Sequence, residues 1–518
     1  MRPGKGNGEC PEPPKASGRT EKRDIGQKER NQVENRKPCV QQNFSEGVSL
    51  SSYQVYDGNS NEGIRRGIFR LVSKRVALKG NHKLGIPLIL LIVLAIMAGV
   101  VWQYLAGSKP SIRIGVLHSL SGVLAASEKP LIDAIQLAVE EANAAGGIHG
   151  HKIEAVVADC RSDAGHCARE AERLILEERV EALFGCWTST CRTSVKPVVE
   201  RHDHLLFYAL RYEGMEQSPN IIYGGAVPNQ LVMPAVYWAL ENLGNRKHAR
   251  HSGKRVYLAG SENVFSRVVN ILIKDVLAAN GGIVAGEYYL PLGSQNMESL
   301  VEDIVDQQPD LILSTIAGAY NAGFFQTLNR RGITAESIPV LSFSVTEVVL
   351  SVQDKIPMTG HFAARNYFQT IPSPENQAFV KRFRDRYGEK AVIDSPTEAS
   401  YVNVHMWIRA ASEAGSGNLA KVQRLILRQS LPAPEGIVAL DPITRHVWKV
   451  ARVGKVREDG QFDIVWDSTR PLEPSPFPSY RSREEWNVLL EKVLNTPAML
   501  QTTQFMEKSG SNSRGPAG

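Results

Sequence analysis

The residues of this chain that could do chemistry sit in short turns. Six stand out: His118–Gly122, Gly185–Thr190, Ala209–Glu213, Gly260–Phe265, Thr315–Tyr320 and Ser344–Glu347. They gather Ser, Thr, Tyr, Trp and Gly with few charges, which suits a small, largely neutral polar ligand held by hydroxyls and backbone groups. A phosphate ligand would call for a glycine-rich P-loop, and the sequence has none. Cys186 is a candidate nucleophile, but no base is assigned to it. It reads instead as a small buried hydrophobe, so no catalytic residue is assigned and no cofactor is called for. Cys160 and Cys167 leave two alternatives open: a disulfide in an oxidising compartment or, with His166, a metal site short of a fourth ligand. His149, His151, His202 and His204 read as solvated turn and helix-end residues.

The elements that must position these turns alternate strand and helix. A first series has strands at 112–117, 152–159, 181–185 and 205–210, with helices at 128–145, 165–178 and 191–202. A turn at Asn220–Gly225 separates it from a second series. There, strands at 255–260, 284–290, 310–316 and 339–343 alternate with helices near 263–279, 297–307 and 319–330. Helices near 374–387 and 396–414 come next, then β-rich sequence at 437–466. Such alternation predicts an α/β protein with parallel sheets covered on both faces and right-handed crossovers. Two series imply two lobes, with ligand-binding turns at the strand C-termini facing one crevice.

The chain has 518 residues, 42% hydrophobic and 22% charged, which excludes a disulfide-stapled miniprotein and a polytopic membrane protein. Its formal charge of +6 is unevenly placed: residues 1–83 carry 17 basic and 9 acidic side chains, and the remainder is near neutral. That excludes a nucleic-acid footprint on the body of the protein. Residues 1–83 read as a disordered basic segment. Residues 84–105 carry no charge over 22 positions, enough to cross a bilayer. The basic residues before this run place the N-terminus inside and the remainder outside the cytoplasmic membrane. The run reads as a single-pass anchor or as a signal peptide from a start near Val76 or Leu78; either one exports the C-terminal part of the chain. The exported domain is expected over 111–470. Lobe 1 would take about 111–228 with part of 361–466, lobe 2 about 254–350 with the rest, and 497–518 would be a polar tail.

Several blocks carry a resemblance: IGVLHSLSGVLA (114–125), LFGCWTSTCRTSVKPVVER (183–201), LLFYALRYEGMEQSPNIIYGGAVPNQ (205–230), LAGSENVF (258–265), LSFSVTE (341–347), PTEASYVNVHMW (396–407) and DGQFDIVW (459–466). Together they resemble the urea- and short-chain-amide-binding branch of the type I periplasmic solute-binding proteins, relatives of the branched-chain amino-acid receptors of ABC transporters. The resemblance implies a two-lobed Venus-flytrap fold, three crossover strands and closure on a small solute. By position it implies a pocket of Ser119, Ser121, Trp187, Thr188, Ser189, Tyr208, Leu210, Asn263, Phe265, Thr315 and Glu347. Ser189 would donate to a carbonyl oxygen, Glu347 would accept from an amide or ammonium, and Trp187 with Tyr208 would sandwich a flat group. The implied partner is an ABC permease; the alternative is a sensor working with a kinase or regulator.

The chain also departs from that pattern. Glu262-Asn263-Val264-Phe265 stands where amide binders carry a D-Y-x-Y pair, and Ala317-Gly318-Ala319 where urea binders carry Asn-Gly-Asp. Leu210 stands where some relatives have a Thr. These losses imply a larger or more apolar amide, or an amino acid. Cys186-Trp187 also resembles the nucleophile region of nitrilase-type amidases, but Thr188 stands where those enzymes carry Glu.

Overall fold

The computed structural model describes residues 91, 93–97, 109–244, 253–291, 294, 296–352 and 357–497. The expected basic segment 1–83, most of the apolar run 84–105 and all but the first residue of the tail lie outside them. Of the apolar run, Leu91 and Val93–Met97 are helical with exposed side chains. Among the described residues no helix is long and apolar enough to cross a membrane.

Lobe 1 begins with β1 (Ile112–His118), α1 (Ala125–Ala144), β2 (Ile153–Asp159), α2 (Ala164–Leu176), β3 (Leu183–Gly185), α3 (Ser189–Arg201), β4 (Leu206–Tyr208) and β5 (Ile221–Tyr223). The five strands form one parallel sheet in the order β2-β1-β3-β4-β5. Side-chain alternation sorts the strand residues onto two faces. Ile114, Val116, Phe184 and Phe207 share one core with Trp407, while Leu117, Leu183, Leu206 and Tyr208 share the other with α2 and α3. β5 is a correction to the expected turn at 220–225, because Ile221–Tyr223 pairs in register with Leu206–Tyr208.

Lobe 2 comprises α4 (Val232–Asn242), β6 (Arg255–Ser261), α5 (Val264–Ala279), β7 (Ile283–Leu290), α6 (Glu298–Gln307), β8 (Leu311–Thr315), α7 (Asn321–Arg330), β9 (Val340–Ser342), α8 (Glu347–Ser351) and β10 (Phe362–Arg365). The chain then returns to lobe 1 through α9 (Pro374–Tyr387), α10 (Ser395–Ala414), α11 (Leu419–Leu425) and the hairpin β11 (Ser430–Ala433) with β12 (Gly436–Ala439). It crosses back into β13 (Arg452–Val456), β14 (Phe462–Asp467) and α12 (Arg483–Leu494). The second sheet runs β14-β13-β10-β9-β8-β6-β7, with β13 alone antiparallel to its neighbours. The folded part therefore extends past the expected limit at 470. Trp486 of α12 is fully buried in the core that α5 shares, and its indole donates to the Pro478 carbonyl at 2.7 Å.

Three segments cross between the lobes, at about 224–231, 366–373 and 440–451. Buried side-chain amides tie them together. Asn366 donates to the carbonyls of Gln230 at 3.0 Å and Val450 at 2.9 Å. Gln230 donates to those of Val447 and Leu472, each at 2.9 Å.

Candidate functional site

The C-terminal end of β4 meets those of β6 and β9 across the two lobes, where Arg211 contacts Phe265 and Ser344, and each turn is fixed by local bonds. After β1, the buried Glu128 carboxylate bonds His118 Nδ1 at 2.7 Å and the Ser119 N–H at 3.0 Å. Ser119 Oγ accepts from the Ser162 N–H at 2.9 Å. Ser121 Oγ donates to Asp159 at 2.7 Å. Partial burial works against the Asp159 charge, but donors from Ser121, Leu120 and Arg161 hold its carboxyl below the usual range.

After β3, Gly185 lies so close to β1 that a Cβ there would sit 2.0 Å from the Leu117 carbonyl oxygen. Disulfides join Cys186 to Cys191 and Cys160 to Cys167. The first corrects the reading of Cys186 as a plain buried hydrophobe: its sulfur is bonded across the turn that carries Trp187, Thr188 and Ser189. Thr188 Oγ1 caps α3 by accepting from the Cys191 N–H at 3.0 Å. Ser189 donates its hydroxyl to Glu213 at 2.7 Å, so that proton is already engaged within lobe 1. Half-buried Trp187 offers its carbonyl to the Tyr208 hydroxyl at 3.5 Å.

Behind this turn lies Arg192, only 1% exposed. It donates to Glu213 at 3.0 Å and Glu216 at 2.9 Å, and its guanidinium stacks on the rings of Tyr208 and Tyr212 at 4.9 and 4.3 Å. Burial alone would pull Arg192 down, but the two glutamates outweigh it and raise it well above its ordinary value. Burial also pushes Tyr208 up to about 12, so the phenol stays protonated. Leu210 packs into the lobe 1 core. His204, expected in solvent, is buried and bonds the Val180 carbonyl at 2.8 Å.

From lobe 2, Asn263 caps α5 by accepting from the Ser266 N–H at 2.8 Å. Thr315 Oγ1 is buried and turned inward, 3.2 Å from Asn270 Oδ1. Glu347 opens α8; its Oε1 accepts from the Gln369 N–H at 2.8 Å, while Oε2 is buried without a partner. Burial pushes the Glu347 carboxyl up to about 8.

Of the expected pocket, then, Ser119, Ser121, Thr188, Ser189, Asn263 and Thr315 are engaged in building the turns, and Tyr208 and Leu210 belong to the lobe 1 core, while Phe265 lies under Arg211 of the opposite lobe and Glu347 keeps one buried carboxylate oxygen without a partner. Two arginines also reach this part of the molecule: Arg211 lies inside the expected turn Ala209–Glu213, and Arg365 lies in none of the six. Arg211 donates to Ser344 Oγ of the opposite lobe at 2.9 Å and lies over the Phe265 ring at 4.8 Å. Arg365 ends β10 and donates to the Phe343 and Ala364 carbonyls at 2.6 and 3.1 Å. The available signal was a single arginine closing the apolar strand 362–365.

Two lobes, three crossings and a polar crevice at facing strand ends agree with a sequence comparison in which the periplasmic binding protein domain model matches residues 112–483. The chain belongs to the periplasmic binding protein family. Among curated proteins it is 22% identical to Leu/Ile/Val-binding protein homolog 6 of Brucella melitensis over 351 residues, 65% of this chain and 85% of that one. It is 29% identical to limonene hydroxylase of Geobacillus stearothermophilus over 140 residues; there it spans only 26% of the relative's length. A solute-binding protein of an ABC transporter from Rhodopseudomonas palustris, solved with 3,4-dihydroxybenzoic acid, shares the fold with a TM-score of 0.62. Its identity is 18%, covering 70% of this chain and 98% of that one.

Proposed function

We propose that this periplasmic binding protein is an extracytoplasmic receptor that closes its lobes on a small organic solute and hands it to an ABC-type permease. The observation that carries the reading is the group of Arg211, Phe265, Ser344, Glu347 and Arg365, tied together by Arg211 of lobe 1 on Ser344 and Phe265 of lobe 2 and by Arg365 on the neighbouring Phe343 carbonyl. It draws on both lobes, and it contains buried donor and acceptor atoms that no protein group satisfies. Buried polar groups are ordinarily paired, so unpaired ones facing each other across a hinged crevice are what a solute would complete. Ligand contacts to both faces favour the closed form over the open one, and a partner can read that difference. The family resemblance puts urea, short amides and amino acids in range. The names of the Brucella and Rhodopseudomonas relatives add branched-chain amino acids and a benzoic acid.

The test is a thermal-shift and small-angle-scattering panel on the full chain with urea, acetamide, isoleucine and 3,4-dihydroxybenzoate. A solute at 100 times its Kd adds about 2.7 kcal/mol of stability, and closure lowers the radius of gyration. A hit lost in Glu347→Ala supports the receptor reading. Well-folded protein that responds to none of the four overturns it.

A further inference from the structure

Four buried sulfurs meet at one place in lobe 1. The Cys160–Cys167 disulfide ties the end of β2 to the first turn of α2, and Cys186–Cys191 ties the end of β3 to the first turn of α3. The two bonds adjoin: Cys191 Sγ lies 3.3 Å from Cys167 Sγ, and the sulfurs of Cys160, Cys167 and Cys191 all lie within 4.8 Å of one another. Cys186, bonded to Cys191, brings the fourth sulfur against the same group. Exposure runs from 0% at Cys167 to 8% at Cys191, and all four share one apolar core with Leu117, Leu131, Ala158 and Val195.

Two disulfides do not require this convergence, because each would close its own short loop equally well far from the other. What the convergence creates is a donor set. A tetrahedral zinc site holds thiolates at about 2.3 Å from the metal, which puts neighbouring sulfurs about 3.8 Å apart. The 3.3 Å contact and the 4.8 Å limit bracket that spacing. A metal at Cys160 and Cys167 alone lacks ligands, and α3 with its preceding turn supplies the two missing sulfurs. The group is sulfur throughout among the described residues, which selects thiophilic closed-shell cations over calcium or magnesium. The apolar shell keeps water out, and the N-termini of α2 and α3 favour anionic sulfur.

We infer that reduction converts the two disulfides of lobe 1 into a four-thiolate site, Cys160, Cys167, Cys186 and Cys191, that binds one thiophilic closed-shell cation such as Zn²⁺. The reductant is a dithiol. Its first thiolate attacks Cys191 Sγ, the most exposed of the four, and releases Cys186; its second releases Cys191 and closes a cyclic disulfide. The Cys191 thiolate then attacks Cys167 Sγ and releases Cys160, and a second dithiol reduces the Cys167–Cys191 bond in the same way. Two dithiols thus supply the four electrons and four protons of four thiols, and the cation displaces those protons as it binds. Reduction and metal binding favour each other, because the cation compensates thiolates that the apolar core would otherwise keep neutral.

The test uses the full chain with Cys10→Ser and Cys39→Ser, which removes the two cysteines outside the described residues. One portion stays oxidised, and another is reduced with a dithiol and freed of it under nitrogen. Each is titrated with Co²⁺, read by thiolate charge-transfer and tetrahedral d–d absorption, and then with Zn²⁺ against a chromophoric chelator. The reduced form should take up one metal with the spectrum of four thiolates, and the oxidised form should give no such spectrum. Cys160→Ser in the reduced form should weaken Zn²⁺ binding by more than the about 10- to 100-fold that loss of an outer-shell partner costs. If reduction unfolds the protein, Zn²⁺ should restore its circular dichroism. The site is overturned by the same spectrum in oxidised protein, by a cobalt spectrum of fewer than four thiolates, or by unchanged affinity in Cys160→Ser. Reduced protein that neither binds Zn²⁺ nor refolds with it overturns the site as well.

Discussion

The side chain of Asn366 donates to the Gln230 carbonyl and, with the same amide nitrogen, to that of Val450, so one residue joins all three segments that cross between the lobes. Asn366 is buried, and its two acceptors lie on the other crossings. Removing the amide leaves two carbonyls without their donor, which costs about 2 kcal/mol or more. Asn366→Asp keeps the shape but has no N–H to give. It should destabilise as much as Asn366→Ala in urea unfolding; an aspartate variant as stable as wild type would show that the stitch is dispensable.

Arg192 should be among the most sensitive positions in lobe 1. Arg192→Met strands Glu213 and Glu216 without their shared cation, and a broken buried pair costs about 3–5 kcal/mol. Adding Glu213→Gln and Glu216→Gln to that variant should recover part of the loss, because the uncompensated charges go with them. Denaturant midpoints of the single and triple variants decide it; a triple variant no more stable than the single would mean that packing on Tyr208 and Tyr212, not charge, is what Arg192 supplies.

The elements that were legible in the sequence carry their own limits. The helix Pro374–Tyr387 falls where expected because Ser373 caps it, Pro374 opens it and Gly388, at φ 103°, ends it. β5 was missed because three residues at 221–223 become a strand only through pairing with β4, a tertiary event. α12 was missed for a similar reason: what marks it as part of lobe 2 is Trp486 buried in the shared core. The crevice was half legible. The resemblance named Tyr208, Phe265 and Glu347, but it could not say that Ser189 would be turned toward Glu213 or that Arg211 would reach Ser344 of the other lobe. Nor does spacing determine cysteine pairing, so Cys186 and Cys191 joined unforeseen.

Glu347 gives the unliganded protein a pH signature. Burial raises its folded pKa from 4.5 to about 8. The stability it contributes is therefore fully present below 4.5 and is lost as pH rises through about 8. At about 1.4 kcal/mol per pKa unit, the loss amounts to a few kcal/mol. Glu347→Gln carries no such proton, so the melting temperatures of variant and wild type should diverge across that window, the variant ending higher at pH 8.5. A constant difference from pH 4.5 to 8.5 would show the carboxylate ionised at its normal pKa.

The two disulfides of lobe 1 are close enough to exchange. Cys191 Sγ lies 3.3 Å from Cys167 Sγ, and each belongs to a different bond. In Cys186→Ser, Cys191 is a free thiol against the Cys160–Cys167 disulfide. Its thiolate can attack Cys167 Sγ, forming a Cys167–Cys191 bond and releasing Cys160 as thiolate, with no outside oxidant or reductant. Alkylation and then non-reducing peptide mapping should find label on Cys160 as well as Cys191, with the Cys167–Cys191 link growing as pH rises. Because Cys191 sits in the first turn of α3, that exchange should also alter Trp187 fluorescence. Label confined to Cys191 at every pH would show that the contact does not permit attack, and that the two disulfides act independently.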